Sequence, residues 1–548
     1  SSRSSRERPK ADRGADVIRA VLALFLVASQ AVAAAPTLTH IFPAGGRRGT
    51  KVTVTCSGAF DWKKVRVWSP GVKSTVLKES GKLEIEIPKD LAADRTWIRL
   101  HTDEGASPVV PFLLGDLPEI VENEPNNRPS ETKPLAIPVV VNGALAKGEV
   151  DSFAVDLKKG QALVAALDAN TRLGSPMDAV LQVVSPAGAV AAENHDHLGL
   201  DPRLAHVALA DGIHMVRVFA FPSMPDSSIS FAGSASYVYR LTLTTGPFAT
   251  LAAPVAVSLG KPGAARPEGW NIPKGTTGVV SFPGIEGLVE HLPAEVPALA
   301  PGARMGRVTA PGVSGAMEAV ALPVPLVPQA PDGATNLSAP AAVSGHLAAP
   351  RAKNIYKLDM KKGQRLLVTL NARSLGFPTD PVVRWIDPAG KVVTEADDMG
   401  SYPDPTMSVT ASVDGIHTLQ VADRFGHGTE RHRYLLTVRP VVPEFDLSVA
   451  VDNLVLPAGK AGELAVKVTR KGQGPVGPIS IRVEGLPAGV KVSDVVSEAT
   501  GPTAAAVTLK FTGDGKAWSG PIRVLGKAKD LPDTAARSEE HTSELQSH

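Results

Sequence analysis

The stretch DSFAVDLKKGQALVAAL, Asp151 to Leu167, decides the fold, and the chain states it twice. The second version reads NIYKLDMKKGQRLLVTL, Asn354 to Leu370. In the first, Phe153, Val155 and Leu157 alternate with polar positions, Lys158-Lys159-Gly160 breaks the run, and Leu163 to Leu167 resumes it. That pattern is strand, turn, strand. Working outward, the first copy continues through LGSPMDAVLQVVSPAGAV to DGIHMVRV, ending at Val218, and the second through LGFPTDPVVRWIDPAGKV to DGIHTLQV, ending at Val421. Phe153 and Tyr356, Gly160 and Gly363, Pro176 and Pro378, Asp178 and Asp380, Gly188 and Gly390, and Gly212 and Gly415 fall into register. A spacing near 200 residues marks a duplicated domain, not a solenoid.

SPAG and DPAG put Pro second and Gly fourth, as a type I turn prefers. No segment within either copy shows a helical period of useful length, so each is expected to be an antiparallel β-sandwich. With 548 residues the chain has room for about four domains of roughly 100 to 200 residues. Its 50 Gly and 47 Pro punctuate short β-rich runs, so the expected fold class is all-β, a row of tandem β-sandwiches. A net charge of +2 supplies no basic field for nucleic acid.

In and before Val17 to Ala35, Arg13 and Arg19 precede a short apolar core and Ala31, Ala33 and Ala35 follow it, the pattern of a secretory signal. The core falls short of the roughly 20 apolar residues of a membrane span. Residues 1–35 are therefore expected to be a signal region, and the mature chain to be secreted, periplasmic or at the cell surface, with no stable span. Arg537 to His548 reads like a translated sequencing adapter on a chain cut short, and is expected to carry no fold information. Cys56, the single cysteine, excludes an intrachain disulfide, and its place beside Val52 and Val54 in KVTVTCSG suits a buried structural thiol.

Residues 36–118, with PAGGRRG and several short strands, are similar to the IPT/TIG family of extracellular immunoglobulin-like domains. Residues 119–246 open with Glu122-Asn123-Glu124-Pro125-Asn126-Asn127 and carry GEVDSF, LGSPMDAVLQVVSPAG, DGIHMVRV and YRLTL. This set resembles the bacterial pre-peptidase C-terminal (PPC) domain. The resemblance implies a jelly-roll-like sandwich found beside the catalytic domains of secreted peptidases and in large secreted proteins of planctomycete type. Residues 340–441 are the second PPC-like copy, residues 247–339 a linker or a degenerate immunoglobulin-like domain, and residues 442–530 a further immunoglobulin-like sandwich.

The sequence holds no G-x-S-x-G elbow and no H-E-x-x-H, so no catalytic role is expected. His195 and His197 flank Asp196 in what reads as a solvated polar loop, His214 and His417 occupy equivalent turn or strand positions, and His427 and His432 lie in FGHGTERHRY, read as a surface loop. The six Trp are expected to pack in cores and not to form a carbohydrate platform.

Calcium takes six to eight oxygen ligands. In calcium-binding PPC-like domains of secreted collagenases, the acidic N-terminal segment and an acidic pair at the first strand chelate the ion. The resemblance therefore implies calcium in the first copy and makes Glu122, Glu124, Asn126, Asn127, Glu149 and Asp151 its candidate ligands. Glu149 departs from the family pattern, which more often has Asp. The competing reading is an acidic interdomain linker whose amides make turns. In the second copy the preceding segment is PQAPDGATNLSAP and Arg351 and Lys353 stand where the acidic pair is expected, so calcium is not expected there. The expected function is a non-catalytic extracellular scaffold that binds a protein or polysaccharide or acts as a spacer. The alternative is the non-catalytic portion of a secreted peptidase.

Overall fold

In the computed structural model, the strands on either side of each Lys-Lys-Gly turn belong to opposite sheets, so the turn is an arch across a sandwich and not the bend of a hairpin. The structure describes residues 34–224, 230–260, 263–282, 302–398, 402–456, 460–472, 476–516 and 518–538; the signal-like segment up to position 33 lies outside them. Both arches are locked alike. Gly160 N–H donates to the Ala208 carbonyl at 2.8 Å and Gly363 N–H to that of Ala411 at 2.8 Å. Lys159 N–H donates to Asp211 Oδ1 at 2.9 Å, Lys362 N–H to Asp414 Oδ1 at 2.8 Å. Gly160 and Gly363 hold φ of 87° and 83°, the left-handed region that glycine enters without a Cβ clash.

Strands one to eight of the first module are Val139–Ala144, Asp151–Leu157, Ala162–Asp168, Met177–Val184, Val190–Asn194, Arg203–Val207, Gly212–Pro222 and Val238–Thr244. They form two sheets, ordered 1-8-3-6 and 2-7-4-5. The second module repeats both orders with Ala341–His346, Lys353–Met360, Arg365–Asn371, Pro381–Ile386, Val392–Ala396, Thr406–Thr410, Gly415–Asp423 and Arg433–Pro440. Eight strands so connected in two sheets are a jelly roll, and one further parallel strand extends a sheet of each module, Glu119–Val121 on strand one in the first and Ala334–Leu337 on strand two in the second. The alternating positions that marked the strands in sequence fill the space between the sheets: Phe153, Val155 and Leu157 meet Leu163, Leu181, Val183, Val218 and Leu241 in one buried cluster. Tyr356, Leu358, Leu366, Val383, Trp385, Val421 and Leu436 do the same in the second copy.

The other units are sheets as well, and the structure is 52% strand and 2% helix, an all-β fold. In the first unit, His40–Phe42, Lys51–Ser57, Lys82–Glu86 and Lys73–Val76 face a second sheet of Gly45–Arg47, Val110–Gly115, Arg95–Thr102 and Arg66–Trp68. The described residues between positions 248 and 322, a stretch which the sequence leaves open between linker and degenerate domain, form a six-stranded sheet over a small-residue core of Ala249, Ala252, Ala265, Ala319 and Ala321. Residues 444–538 form two further sheets, in which Arg537–Ser538 pairs in parallel with Ser448 and Val449. The remainder of that tail lies outside the described residues.

Ion pairs join the units. Arg172 of the first module bridges Asp94 of the first unit at 2.6 Å and its own Asp168 at 3.1 Å. Arg95 reaches Glu318 at 3.3 Å, Arg433 pairs with Glu268, and Arg431 donates to the His197 carbonyl. Arg99 of the first unit pairs with Asp452 of the last, so the row closes on itself. No helix among the described residues is long and apolar enough to cross a membrane.

Candidate metal centre

Tyr239 organises the site. It is the second residue of strand eight, opposite Gly143 of strand one, and its ring is fully buried. Glycine is required there, because a Cβ on Gly143 would overlap the Tyr239 ring and hydroxyl and lie 2.6 Å from Glu122 Oε2. The hydroxyl reaches Glu122 Oε2 at 2.9 Å and Asp151 Oδ2 at 2.5 Å. Asp151 begins strand two, in the opposite sheet, and faces Val218.

The incoming segment is fastened to both sheets. Glu122 N–H donates to the Asn142 carbonyl at 3.0 Å, and Glu122 Oε1 accepts from Ala144 N–H at 2.7 Å. Asn126 N–H donates to Glu124 Oε2 at 3.0 Å, while its carbonyl accepts from Ser152 N–H at 3.0 Å. One carboxylate oxygen from each of Glu122, Glu124 and Asp151 lies within 4.8 Å of the other two.

This arrangement is rich in acceptors and poor in donors. One phenolic proton cannot serve Glu122 and Asp151 together. Asp151 Oδ1 and Asn126 Oδ1 are buried with no hydrogen-bond partner among the described residues. Burial, then the charge of Glu122, pushes the Asp151 carboxyl up to about 8. Burial also raises Glu122 and Glu124 above the usual carboxylate range. An orphaned buried acceptor beside three carboxylates fits a cation with oxygen ligands. The spacing fits calcium: with Ca–O distances of 2.3–2.6 Å, opposite ligands on one ion stand about 5 Å apart.

Of the six residues singled out in sequence, the structure gathers Glu122, Glu124 and Asp151, with Asn126 beside them. Asn127 and Glu149 are engaged with loop amides, Asn127 Oδ1 with Val150 N–H at 3.4 Å and Glu149 Oε2 with Ala146 N–H at 2.7 Å. The Glu149 charge still contributes to raising Asp151 and Glu124. Tyr239 was not anticipated. Its only signal is that YRLTL recurs as YLLTV at Tyr434, an inward Tyr above an inward Gly.

The second module corrects one reading. Asn354, and not Lys353, takes the place of Asp151, since it faces Val421 as Asp151 faces Val218. Gln329 takes the place of Glu122: its Oε1 accepts from His346 N–H at 2.8 Å at the same position of strand one. Asn354 Nδ2 donates to Tyr434 Oη at 2.6 Å, and Tyr434 and Tyr356 share a hydrogen bond of 2.6 Å. Both carboxylates have become amides.

The histidines divide. His214 and His417 are buried and donate from Nδ1 to the carbonyls of Gly212 and Gly415, each at 3.1 Å. His195 pairs with Glu193 at 2.9 Å while His197 packs on Trp270, so these two do not converge. Asp423, His427 and His432 do come together, where the sequence suggested only a surface loop. Burial pushes the Cys56 thiol up to about 12, leaving it inert near neutral pH. Trp62 and Trp385 are buried, and Trp518 is half exposed.

No protein-family model and no curated protein matches the chain. Among solved structures it is similar to the pre-peptidase C-terminal domain of collagenase from Bacillus anthracis, with 11% identity and a TM-score of 0.16 over 20% of this chain and 98% of that one. It is similar to PliG of Aeromonas hydrophila, a periplasmic inhibitor of g-type lysozyme, with 14% identity and a TM-score of 0.16 over 21% and 97%. A third is SGBP-B of the Bacteroides ovatus mixed-linkage glucan utilization locus, with 10% identity and a TM-score of 0.14 over 73% of each chain. Likenesses this weak identify no family, and the case for a function rests on the residues of the chain itself.

Proposed function

We propose that the chain is a non-catalytic array of β-sandwiches that acts outside the cytoplasm as a binding or spacing scaffold for a protein or polysaccharide. Its first jelly-roll module holds calcium through Glu122, Glu124 and Asp151, with Asn126 beside them. One observation carries the metal reading: Asp151 Oδ1 and Asn126 Oδ1 are buried, with no partner among the described residues, next to the carboxyl groups of Glu122 and Glu124. Leaving such groups unsatisfied costs about 1–3 kcal/mol each, more if charged. Calcium there would neutralise the carboxylates. Glu122, bonded to strand one, and Asp151, on strand two, anchor the incoming segment to both sheets. Ion-pair junctions between the units suit a scaffold with a set shape.

Calorimetric titration of the full chain with calcium is expected to show a site that Asp151→Asn abolishes. A wild-type chain that takes up no calcium, or equal uptake by the variant, refutes the metal reading. Hydrolysis of casein or of polysaccharide by the purified chain would refute the non-catalytic one.

A further inference from the structure

The loop joining strand seven to strand eight of the second module is built around one carboxylate. Asp423 Oδ1 accepts from the N–H of Phe425 at 3.0 Å and of His427 at 2.8 Å, and Oδ2 from Asp380 N–H at 2.9 Å. These bonds wrap the loop round Asp423 and set His427 Nδ1 at 3.7 Å from Oδ1. His432, the last residue before strand eight, is buried, with its ring 6.0 Å from that of His427 and its Nδ1 2.8 Å from Thr429 Oγ1. One ligand atom from each of Asp423, His427 and His432 lies within 4.8 Å of the other two.

Three neighbouring arginines are engaged elsewhere. Arg424 pairs with Asp397 and Asp398, Arg431 donates to the His197 carbonyl, and Arg433 pairs with Glu268. Two imidazoles and a carboxylate form a donor set of the zinc class, not of calcium or magnesium, which prefer oxygen alone. Bonds of 2.0–2.1 Å in a tetrahedron hold donors about 3.4 Å apart. The Asp423–His427 pair is close to that, and the His427 side chain, 65% exposed, has room to turn. Thr429 is placed to accept from the His432 Nδ1–H, which leaves Nε2 as the ligand atom. The first module has Ala220 and Tyr237 at the positions of Asp423 and His432, so the set belongs to the second copy alone.

We propose that Asp423, His427 and His432 bind one divalent transition-metal ion of the zinc class, with a fourth position open to water. The same loop carries Arg431 to the first module, so the ion also steadies a contact between modules.

The test uses tag-free, metal-free full-length chain titrated with zinc by calorimetry and with cobalt(II) by visible absorption. One equivalent is expected, with the intense absorption of four-coordinate cobalt. His427→Ala, whose side chain is mostly exposed and leaves the loop bonds to Asp423 in place, is expected to abolish uptake without changing the metal-free melting temperature. Thr429→Val is expected to weaken binding about tenfold. Asp151→Asn is expected to leave zinc binding unchanged. No uptake by the wild type, equal uptake by His427→Ala, or loss of zinc binding in Asp151→Asn would each overturn the assignment.

Discussion

The two jelly-roll modules set one tyrosine over one glycine in the same way, yet the first surrounds the hydroxyl with Glu122 and Asp151 and the second with Asn354 and Tyr356, Gln329 being bonded to the backbone of strand one. The second copy shows that the fold does not need the charges. Its amides donate as well as accept, so Asn354 Nδ2 supplies the Tyr434 oxygen with a proton and the set closes without a cation. In the first copy the same backbone carries acceptors that nothing among the described residues satisfies. The proposed calcium site is what would satisfy them.

The largest effect expected from this contrast is calcium-dependent stability. An ion present at about 100 times its dissociation constant adds roughly 2.7 kcal/mol to the state that binds it. In the full chain, hydrogen exchange of strand Asp151–Leu157 should slow accordingly, with no change in Lys353–Met360. The double substitution Glu122→Gln with Asp151→Asn, which copies the second module into the first, should remove that response and stabilise the metal-free module. Equal slowing in both modules would break the comparison.

Alanine at the shared glycine comes next. Gly143→Ala and Gly345→Ala each force a methyl into a tyrosine ring. Overpacking of this kind costs about 1–3 kcal/mol. Both should lower the stability of their own module in denaturant titrations, but only Gly143→Ala should also lose calcium. Tyr434→Phe, which takes a partner from Asn354 and Tyr356, should cost about 1 kcal/mol by the same measurement and leave calcium uptake untouched.

The smallest effect is on pH dependence. Asp151 is held protonated up to about 8, against about 3.9 in an unfolded chain. Between those values the folded state binds more protons, so metal-free stability of the first module should fall as pH rises from about 4 to 8 and level off above. Calcium should flatten that slope and release protons on binding, which calorimetry in buffers of different ionisation enthalpy reads directly. The second module, with Asn354 in that place, has no such window at this position. A metal-free slope that persists in Asp151→Asn would assign it to other groups.

The all-β fold was legible because the inward residues of each strand alternate and Lys158-Lys159-Gly160 interrupts them on schedule. The division of strands between sheets was not. Strand two pairs with strand seven across some 60 residues, and no local pattern records such a partner. The acidic segment was visible as composition, but Tyr239 stands 117 residues from Glu122 and 88 from Asp151, so only the folded register brings them together. Gln329 was hidden in the same way. His427 and His432 read as a solvated loop because arginines crowd them in sequence, and the fold alone shows those arginines turned toward Asp397, His197 and Glu268.

The clasp between Arg99 and Asp452 changes what a row of five β units does under load. Their side chains are 14% and 10% exposed, so salt screens the pair far less than it would at the surface. With the first and last units in contact, the distance between them does not grow with the number of units in the row. Tension applied across the ends would therefore load the junction that holds Arg99 and Asp452, and the chain would lengthen only after that junction had parted.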